Sequence, residues 1–445
     1  MAEDALQTKV IEKAKKEKVH FVQMQFMDLL GFVKTVTIPI TKLEKAFDEG
    51  VVFDGSSVTG YAEIEESDMR VRPDPNTFHI FPWTSGNLKS SGMVCRVYDS
   101  SGKRFSGDPR FVLEEVIRKA REMGYVPHIG AEYEFFLFKL DELKQVTNVP
   151  CDSGRYFEQL PMDSGEVVRK KTILYFNEMG FEAEVAHHEV APGQHEVDLR
   201  YTDALSSADR VLTLKHAIKT VALEEGLHAS FMPKPIFGVN GSGMHIHQSL
   251  MTPTGENIFY NPSGKNELSN ECMWYIGGLL YHARETCPVL ASWVNSYKRL
   301  VPGYEAPVYI SWANRNRSAL VRVPAGRGQN TRLELRNPDP SGNPYLQYAV
   351  MIASGLKGIE NRKEPPEAVE TNIYALGAAK RKSMGIGSLP VTLDEALYEM
   401  EKSELLRETL GAHIYTNYLY LKKTECDEYR MQVTDWELKK YLPIL

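Results

Sequence analysis

The 445-residue chain has only five cysteines: Cys95, Cys151, Cys272, Cys287 and Cys426. They are odd in number, widely spaced and form no C-x-x-C, so they read as reduced packing residues of a cytoplasmic protein rather than a disulfide framework. No run of about 18 apolar residues occurs, and no membrane span is expected. The stretch from Met1 to Val19 spreads Lys9, Lys13, Lys15, Lys16 and Lys18 among acids and lacks the apolar centre of a signal peptide. Basic charge is scarce as well: 52 Lys and Arg face 59 Asp and Glu, a net of −7. That argues against a nucleic-acid partner, whose binder needs a basic face. Repeats, low-complexity tracts and the phosphate-cradling G-x-x-x-x-G-K-[ST] loop are all missing. What remains, 42% hydrophobic with 18 Phe and 22 Tyr, is too apolar and aromatic for disorder, and the length suggests two or three domains.

From Val19 to about Val97 the text is strand-like: His20 to Phe26, Phe32 to Ile38, Arg70 to Val71 and Thr77 to Phe81, interrupted by a short helix from Ile40 to Phe47. At Gly107 the texture changes. Asp108-Pro109 is a helix-start signal, followed by a 3.6-residue period to Met123 and a stop at Gly124. The predicted domains are therefore 1–107 and 108–445. Helices are expected from Glu166 to Met179 and from Asp203 to Glu225, with strands between, and Thr392 with Glu395 forms a capping box. The tail from Tyr415 to Leu445 reads as a helix on its own core, or as a segment packed against a neighbouring subunit.

Four segments concentrate chemistry. In His128-Ile-Gly-Ala-Glu-Tyr-Glu-Phe-Phe136 the strand period puts Glu132 and Glu134 on one face, about 7 Å apart. Between flanking aromatics, two carboxylates repel unless cations separate them; the plain alternative is a solvated edge strand. Phe181 to Asp198 holds five acids and three histidines without Lys or Arg, which points to an external cation, although an acidic surface hairpin fits too. There Glu189 and Glu196 straddle a Pro-Gly turn. Phe237-Gly-Val-Asn-Gly-Ser-Gly-Met-His-Ile-His-Gln-Ser249 is a Gly-rich turn leading into a strand with His245, His247 and Ser249 on one face, and its glycines permit close approach of a ligand.

The fourth segment is opposite in sign. Arg315 to Arg336 holds six arginines, no lysine and one acid, Glu334. Arg332, Glu334 and Arg336 alternate along one face. Arginine without lysine favours forked recognition of phosphate or carboxylate; a structural ion-pair ladder is the alternative. With this segment set aside, the other 423 residues hold 46 basic and 58 acidic groups, so the mild overall charge conceals two compartments. Glutamate-rich ligation with histidine and no cysteine selects Mg²⁺ or Mn²⁺ over zinc. Hard cations facing arginines suit phosphoryl transfer, where the work is charge neutralisation and positioning.

These motifs resemble glutamine synthetase of the bacterial and archaeal type I. The resemblance runs through Phe53-Asp-Gly-Ser-Ser57, Glu65-Glu-Ser-Asp68, Glu132-Tyr-Glu-Phe-Phe136, His187-His-Glu-Val-Ala-Pro-Gly-Gln-His-Glu196, Lys234-Pro-Ile-Phe-Gly-Val-Asn-Gly-Ser-Gly-Met-His245, Asn295-Ser-Tyr-Lys-Arg-Leu-Val-Pro-Gly-Tyr-Glu305 and Asn316-Arg-Ser318. It implies an α+β architecture: a small N-terminal β-grasp domain and a larger α/β catalytic domain. Also implied is an active site in an antiparallel-sheet barrel shared between subunits of a homododecamer of two hexameric rings. It also implies ATP-dependent joining of ammonium nitrogen to L-glutamate. Glu134, Glu189 and Glu196 then match one metal site, and Glu132, His245 and Glu334 match a second that bridges the phosphates. Asn240, Gly241, Arg299, Arg317 and Arg336 match glutamate-site positions. Glu184, His247, Ser249, Arg317, Arg322 and Arg332 match nucleotide-site positions. Asp54, with Ser57 beside it, is the expected base toward ammonium, delivered from the neighbouring subunit. The loop from Lys298 to Glu305 is expected to close over the site with Glu305 at the ammonium pocket.

Three positions depart from family patterns. Glu63 stands where some type I enzymes place an arginine linked to glutamine feedback. Gln329 replaces a basic residue of the adenylylated subtype, and Asn372-Ile-Tyr-Ala-Leu376 differs from the loop modified there. Rival readings are a same-fold ligase for amines or polyamines, which would alter the ammonium pocket, and a non-catalytic relative, which would lose metal ligands. A regulatory protein partner is compatible with the enzyme reading.

Overall fold

The computed structural model describes residues 2–61 and 68–445. Glu63 and most of the Glu65 to Asp68 motif lie outside the described residues. Two sheets organise the chain. The first uses β1 (Phe21–Met27), β2 (Val33–Pro39), β3 (Val51–Asp54), β4 (Asp68–Pro73), β5 (His79–Ile80) and β6 (Ser90–Tyr98) in the order β2-β1-β6-β4-β3, with β5 on β6. β1 runs parallel to β6 and antiparallel to β2, the mixed pairing expected of a β-grasp. Val22, Met24, Phe26, Val71, Met93, Cys95 and Val97 point inward and meet Leu43, Ala46 and Phe47 of the helix Leu43–Glu49.

Sequence reading overlooked the helix Ala2–Lys16, because its many lysines hide a narrow apolar stripe in which Val10 and Ala14 are buried. The expected helix from Ile40 begins as a 3₁₀ turn, Ile40–Lys42, and becomes α-helical at Leu43. Only His79–Ile80 of the expected Thr77 to Phe81 strand pairs.

The second sheet is built around β7 (Val126–Leu140), fifteen residues long, with β8 (Val146–Pro150), β9 (Ala183–His188), β10 (Gln194–Leu199), β11 (Thr202–Asp203), β12 (Leu227–Ser230) and β13 (Met244–Met251). β14 (Tyr309–Ile310) pairs outside this sheet, while β15 (Trp312–Asn314), β16 (Val321–Val323) and β17 (Leu333–Leu335) complete it. The main path is β15-β16-β17-β13-β7-β10-β9, antiparallel throughout except for β15 and β16.

Helices Pro109–Glu122, Ala204–Glu224 and Pro344–Glu360 cover one side of this sheet through a core that also takes in Met27, Leu29, Phe81 and Val94 from the first sheet. The expected helices stand within a residue or two of their signals. Asp108 and Asp203 are N-caps that accept from Arg110 and Ser206 backbone N–H. Thr392 accepts from Glu395 N–H, but the Glu395 carboxylate bonds Val391 N–H instead of closing the box on Thr392.

Charged and polar side chains also tie the first sheet's loops to the helices beside the second. Arg110, buried, pairs with Asp74 (2.9 Å) and Asp209 (2.9 Å), and Asn343 donates to the Asp28 carbonyl (3.0 Å). Among the described residues all five cysteines are free, four of them buried, and no helix is long and apolar enough to cross a membrane. The helix Glu404–Arg430 packs on the core, whereas Asp435–Tyr441 buries none of its residues.

Candidate active site

Cross-strand register builds the site. Glu196 on β10 sits opposite His187 on β9 and Glu134 on β7. One step along, Glu132 sits between Asp198 on β10 and His245 on β13. His247 lies opposite Glu334 on β17, which lies opposite Arg322 on β16. Opposed residues on a sheet face have Cβ atoms about 5 Å apart, and like charges so placed destabilise it. Two such acid pairs stand here, Glu134 with Glu196 and Glu132 with Asp198.

The acids respond according to their neighbours. Burial, then the Glu189 charge, pushes the Glu134 carboxyl up to about 8. Burial, then Glu134, raises Glu196 well above the usual range. Burial raises Glu189 too, and burial with Glu196 lifts Asp198 to about 9. Glu132 is the exception. Burial opposes its charge, but hydrogen bonds from His245 Nδ1 (2.8 Å) and His247 Nε2 (2.6 Å) outweigh it and hold the carboxyl low. Arg332 Nε donates to His247 Nδ1 (3.2 Å), so His247 presents Nε2–H to Glu132. Glu334, fully buried, is clamped between Arg322 and Arg336; against the penalty of burial, the Arg336 charge, then His247 and His245, keep it low.

Carboxyls that burial and neighbouring acids push upward are the set a divalent cation would ionise. Ligand atoms of Glu132, Glu196 and His245 lie within 4.8 Å of one another, as do those of His187, Glu189 and Glu196. These oxygen-rich groups fit a hard cation. They differ from the triads implied by resemblance: Glu196 belongs to both, His187 enters, and Glu334 stands 4.0 Å from His245 Nδ1 while held by its arginines. Glu134 accepts from Gln194 Nε2 (2.7 Å) and Gly243 N–H (2.8 Å), which leaves its other oxygen 3.9 Å from His245 Nε2.

Two cavities flank this row. One of about 290 Å³ is lined by Glu132, Glu184, Asp198, Tyr201, His247, Ser249, Gln329 and Arg332. The other, about 330 Å³, is lined by Glu134, Tyr156, Glu189, Asn240, Gly241, His245, Arg299, Tyr304, Glu305, Arg317 and Arg336. The sites expected for nucleotide and glutamate thus fall largely into separate cavities, and the two same-face glutamates of β7 point one into each. Arg317 lines only the second cavity, and Arg322 lies beside Glu334 and lines neither.

Arg299 is buried, donating to the backbone carbonyls of Arg336, Asn337 and Pro338. A Cβ at Gly243 would stand 2.6 Å from the Arg299 guanidinium and 3.1 Å from His245 Nε2, so glycine permits this approach. Asn240 Nδ2 donates to Glu305 (3.1 Å), and Glu305 holds a left-handed φ of +56° at the end of the expected closing loop. Tyr374 hydroxyl donates to the Ala306 carbonyl (2.6 Å) just beyond it.

Asp54 and Ser57 line neither cavity of their own chain. They are exposed on the first sheet, where Ser57 and Ser56 donate to the Asp54 carboxylate and hold it low. His187, Gln194 and Asp198 escaped the sequence reading as site residues. Period-two counting back and forward from Glu196 would have put Gln194 and Asp198 on the same face.

A row of buried acids on a long antiparallel sheet, walled by arginines, is an arrangement that could hold hard cations beside anionic ligands. Comparison with known proteins makes the class specific. The family model for the glutamine synthetase catalytic domain matches residues 106–441, and that for the glutamine synthetase β-grasp domain matches residues 18–100. A glutamine synthetase of Methanosarcina mazei is 49% identical over 98% of this chain and 97% of its own. One of Clostridium saccharobutylicum is 49% identical over 97% and 98%. A solved structure described as a GmaS/ADP complex is 31% identical, covers 98% of this chain and 99% of its own, and superposes with a TM-score of 0.89. The chain belongs to the glutamine synthetase family of enzymes.

Proposed function

We propose that the protein joins ammonia to L-glutamate, giving L-glutamine, ADP and phosphate through a γ-glutamyl phosphate. One observation carries this reading: Glu132 and Glu134, two residues apart on one strand, face two different cavities whose walls match the expected nucleotide and glutamate positions. The ADP complex of the solved relative supports the nucleotide half. Buried Arg322 Nε and Arg336 Nε have no hydrogen-bond partner among the described residues, and orphaned guanidinium donors beside the cage suit an incoming anion.

Glu132, Glu134, His187, Glu189, Glu196, His245 and Glu334 are the residues to hold Mg²⁺ or Mn²⁺. Bound there, the cations would supply charge neutralisation for phosphate oxygens. The chain does the rest. Asn240, Gly241, Arg299 and Arg317 position glutamate. Glu184, His247, Ser249 and Arg332 hold the nucleotide, and Arg336, which lines the glutamate cavity beside Glu334, neutralises charge there. The turn ending at Glu305 excludes water from an acyl phosphate that water would destroy. Ammonium must lose a proton before it attacks. By resemblance, Asp54 of a neighbouring subunit is the base; in its own chain it is exposed and lines neither cavity. The domains are 1–107 and 108–445, the assembly is a homododecamer of two rings, and the setting is the cytoplasm.

The test is an assay of ATP hydrolysis and γ-glutamyl transfer with ammonium, methylamine or a polyamine as acceptor, repeated with glutamine, 2-oxoglutarate and AMP as effectors. Ammonium should be the preferred acceptor, and preference for an amine would replace this reading with the rival ligase of the same fold. Asp54→Asn should lower amide formation by about 10²-fold or more while glutamate-dependent phosphorylation falls less. Equal loss of both steps would remove Asp54 from its role.

A further inference from the structure

The β9–β10 hairpin has a second face. His188 and His195 alternate with the cage residues His187, Glu189, Gln194 and Glu196, so they point to the opposite side of the sheet, paired in register with rings 4.8 Å apart. Both are completely buried. Behind them stand Cys151, Asp152 and Asp163, from the segment between β8 and the helix Glu166–Glu178, and Arg169 from that helix.

The hydrogen bonds assign a state to each group. His188 Nδ1 meets the Glu189 carbonyl (2.6 Å) and Nε2 meets Asp152 (2.9 Å), so both nitrogens donate and the ring is the cation of an ion pair. Asp152 also accepts from the backbone N–H of Gly193 (2.9 Å) and Ser164 (2.9 Å), tying the hairpin turn to the loop before the helix. Arg169 forks onto Asp163 and donates to His195 Nδ1 (2.6 Å). His195 is therefore the neutral Nε2–H tautomer, with that nitrogen 3.6 Å from Cys151 Sγ. Two carboxylates answer two cations, and the guanidinium occupies the middle. Ligand atoms of Asp152, Asp163, His188 and His195 gather within 4.8 Å, but the network satisfies itself with the charges of its own chain.

We infer that Asp152, Asp163, Arg169, His188 and His195 are positioning residues that set the spacing of Glu189 and Glu196 and so the affinity of the front face for divalent cations. Asp152 grips both ends of the turn between those glutamates, at His188 and at Gly193, and the Asp163–Arg169 pair fixes His195, the immediate neighbour of Glu196. Groups behind metal ligands orient them, and losing one typically weakens metal binding by about 10–100-fold. The inference rests on the proposed use of the front face for cations, and the experiment separates the two.

Mn²⁺ is titrated into the full-length wild type and into the isosteric variants Asp152→Asn and Asp163→Asn. Free Mn²⁺ is followed by electron paramagnetic resonance, and thermal unfolding of each metal-free protein is measured alongside. The expected result is an unchanged number of sites with a dissociation constant raised about 10-fold or more in both variants. Variants that unfold at lower temperature yet bind Mn²⁺ within twofold of wild type overturn the positioning role and leave a purely structural one. Loss of one Mn²⁺ equivalent with unchanged affinity for the rest also overturns it, because the network would then be a metal site itself. A wild type that binds no Mn²⁺ overturns the cation reading of the front face, and this inference with it.

Discussion

The two faces of the β9–β10 hairpin handle buried charge in opposite ways. In front, Glu134, Glu189, Glu196 and Asp198 crowd together, and burial with repulsion from neighbouring acids raises all four carboxyls. Behind, Asp152 is held low despite burial by its hydrogen bonds from His188 and the Gly193 N–H, and the Asp163 carboxylate is forked by Arg169. Both faces belong to the same twelve residues from His187 to Asp198. The back is complete as folded, whereas the front gathers more carboxyls than cationic partners, an arrangement an external cation would suit. Buried charge that the chain balances serves the fold, and buried charge left unbalanced marks the place where a ligand is expected.

The sharpest way to break this contrast is Arg169→Ala. Removing one partner of a buried pair leaves Asp163 uncompensated, and such losses are about 3–5 kcal/mol. The variant should melt at distinctly lower temperature in differential scanning calorimetry whether or not metal is present. A melting temperature equal to that of wild type would mean the back network contributes nothing to the fold.

Glu334→Gln tests the front in the same terms. Glu334 keeps its shape but loses the charge that holds Arg322 and Arg336. Metal-dependent phosphate release should fall by about 10²–10³-fold, as when one element of transition-state stabilisation is removed. The particle size by light scattering should match that of wild type. Full activity would remove Glu334 from the site.

A smaller effect carries the opposite sign. Glu196→Gln removes one member of the acid pair opposite Glu134 and should leave the metal-free protein as stable as wild type, or more stable by about 1 kcal/mol. Saturating Mn²⁺ should stabilise wild type by about 2.7 kcal/mol at 100-fold over its dissociation constant. The variant should lose most of that gain. A metal-free variant that is strongly destabilised would show that Glu196 is a structural acid like those behind it.

How far these differences were legible in the sequence follows the range of the contacts involved. Period-two alternation exposed Glu132 with Glu134 and His245 with His247, and a Pro-Gly turn brought Glu189 toward Glu196, because a strand pattern is local and a short turn sets its register. Asp198 followed the same rule and was within reach. The back network was not. Asp152, Asp163 and Arg169 come from a loop and a helix start whose meeting with His188 depends on how that segment folds over the sheet, and no spacing encodes it. Glu334 was visible as the lone acid among arginines, but its clamp by Arg322 required the pairing of β16 with β17. The approach of Asp54 to a neighbouring subunit rests on resemblance alone, since in its own chain it faces solvent.

The mildest test concerns the edge of the front face. Tyr374 hydroxyl donates to the Ala306 carbonyl, next to the left-handed Glu305 that lines the cavity with Asn240. Tyr374→Phe removes that single bond, a change of about 1 kcal/mol, and nothing in the carboxylate row. If the bond holds the closing turn in place, the Michaelis constant for ammonium should rise a few-fold while Mn²⁺ affinity and melting temperature stay near wild type. An unchanged constant for ammonium would mean that Glu305 is held by its own backbone and by Asn240. A change in Mn²⁺ affinity would show that the turn and the cage are one mechanical unit, and the separation between a self-sufficient back and a ligand-dependent front would have to be redrawn to include the turn.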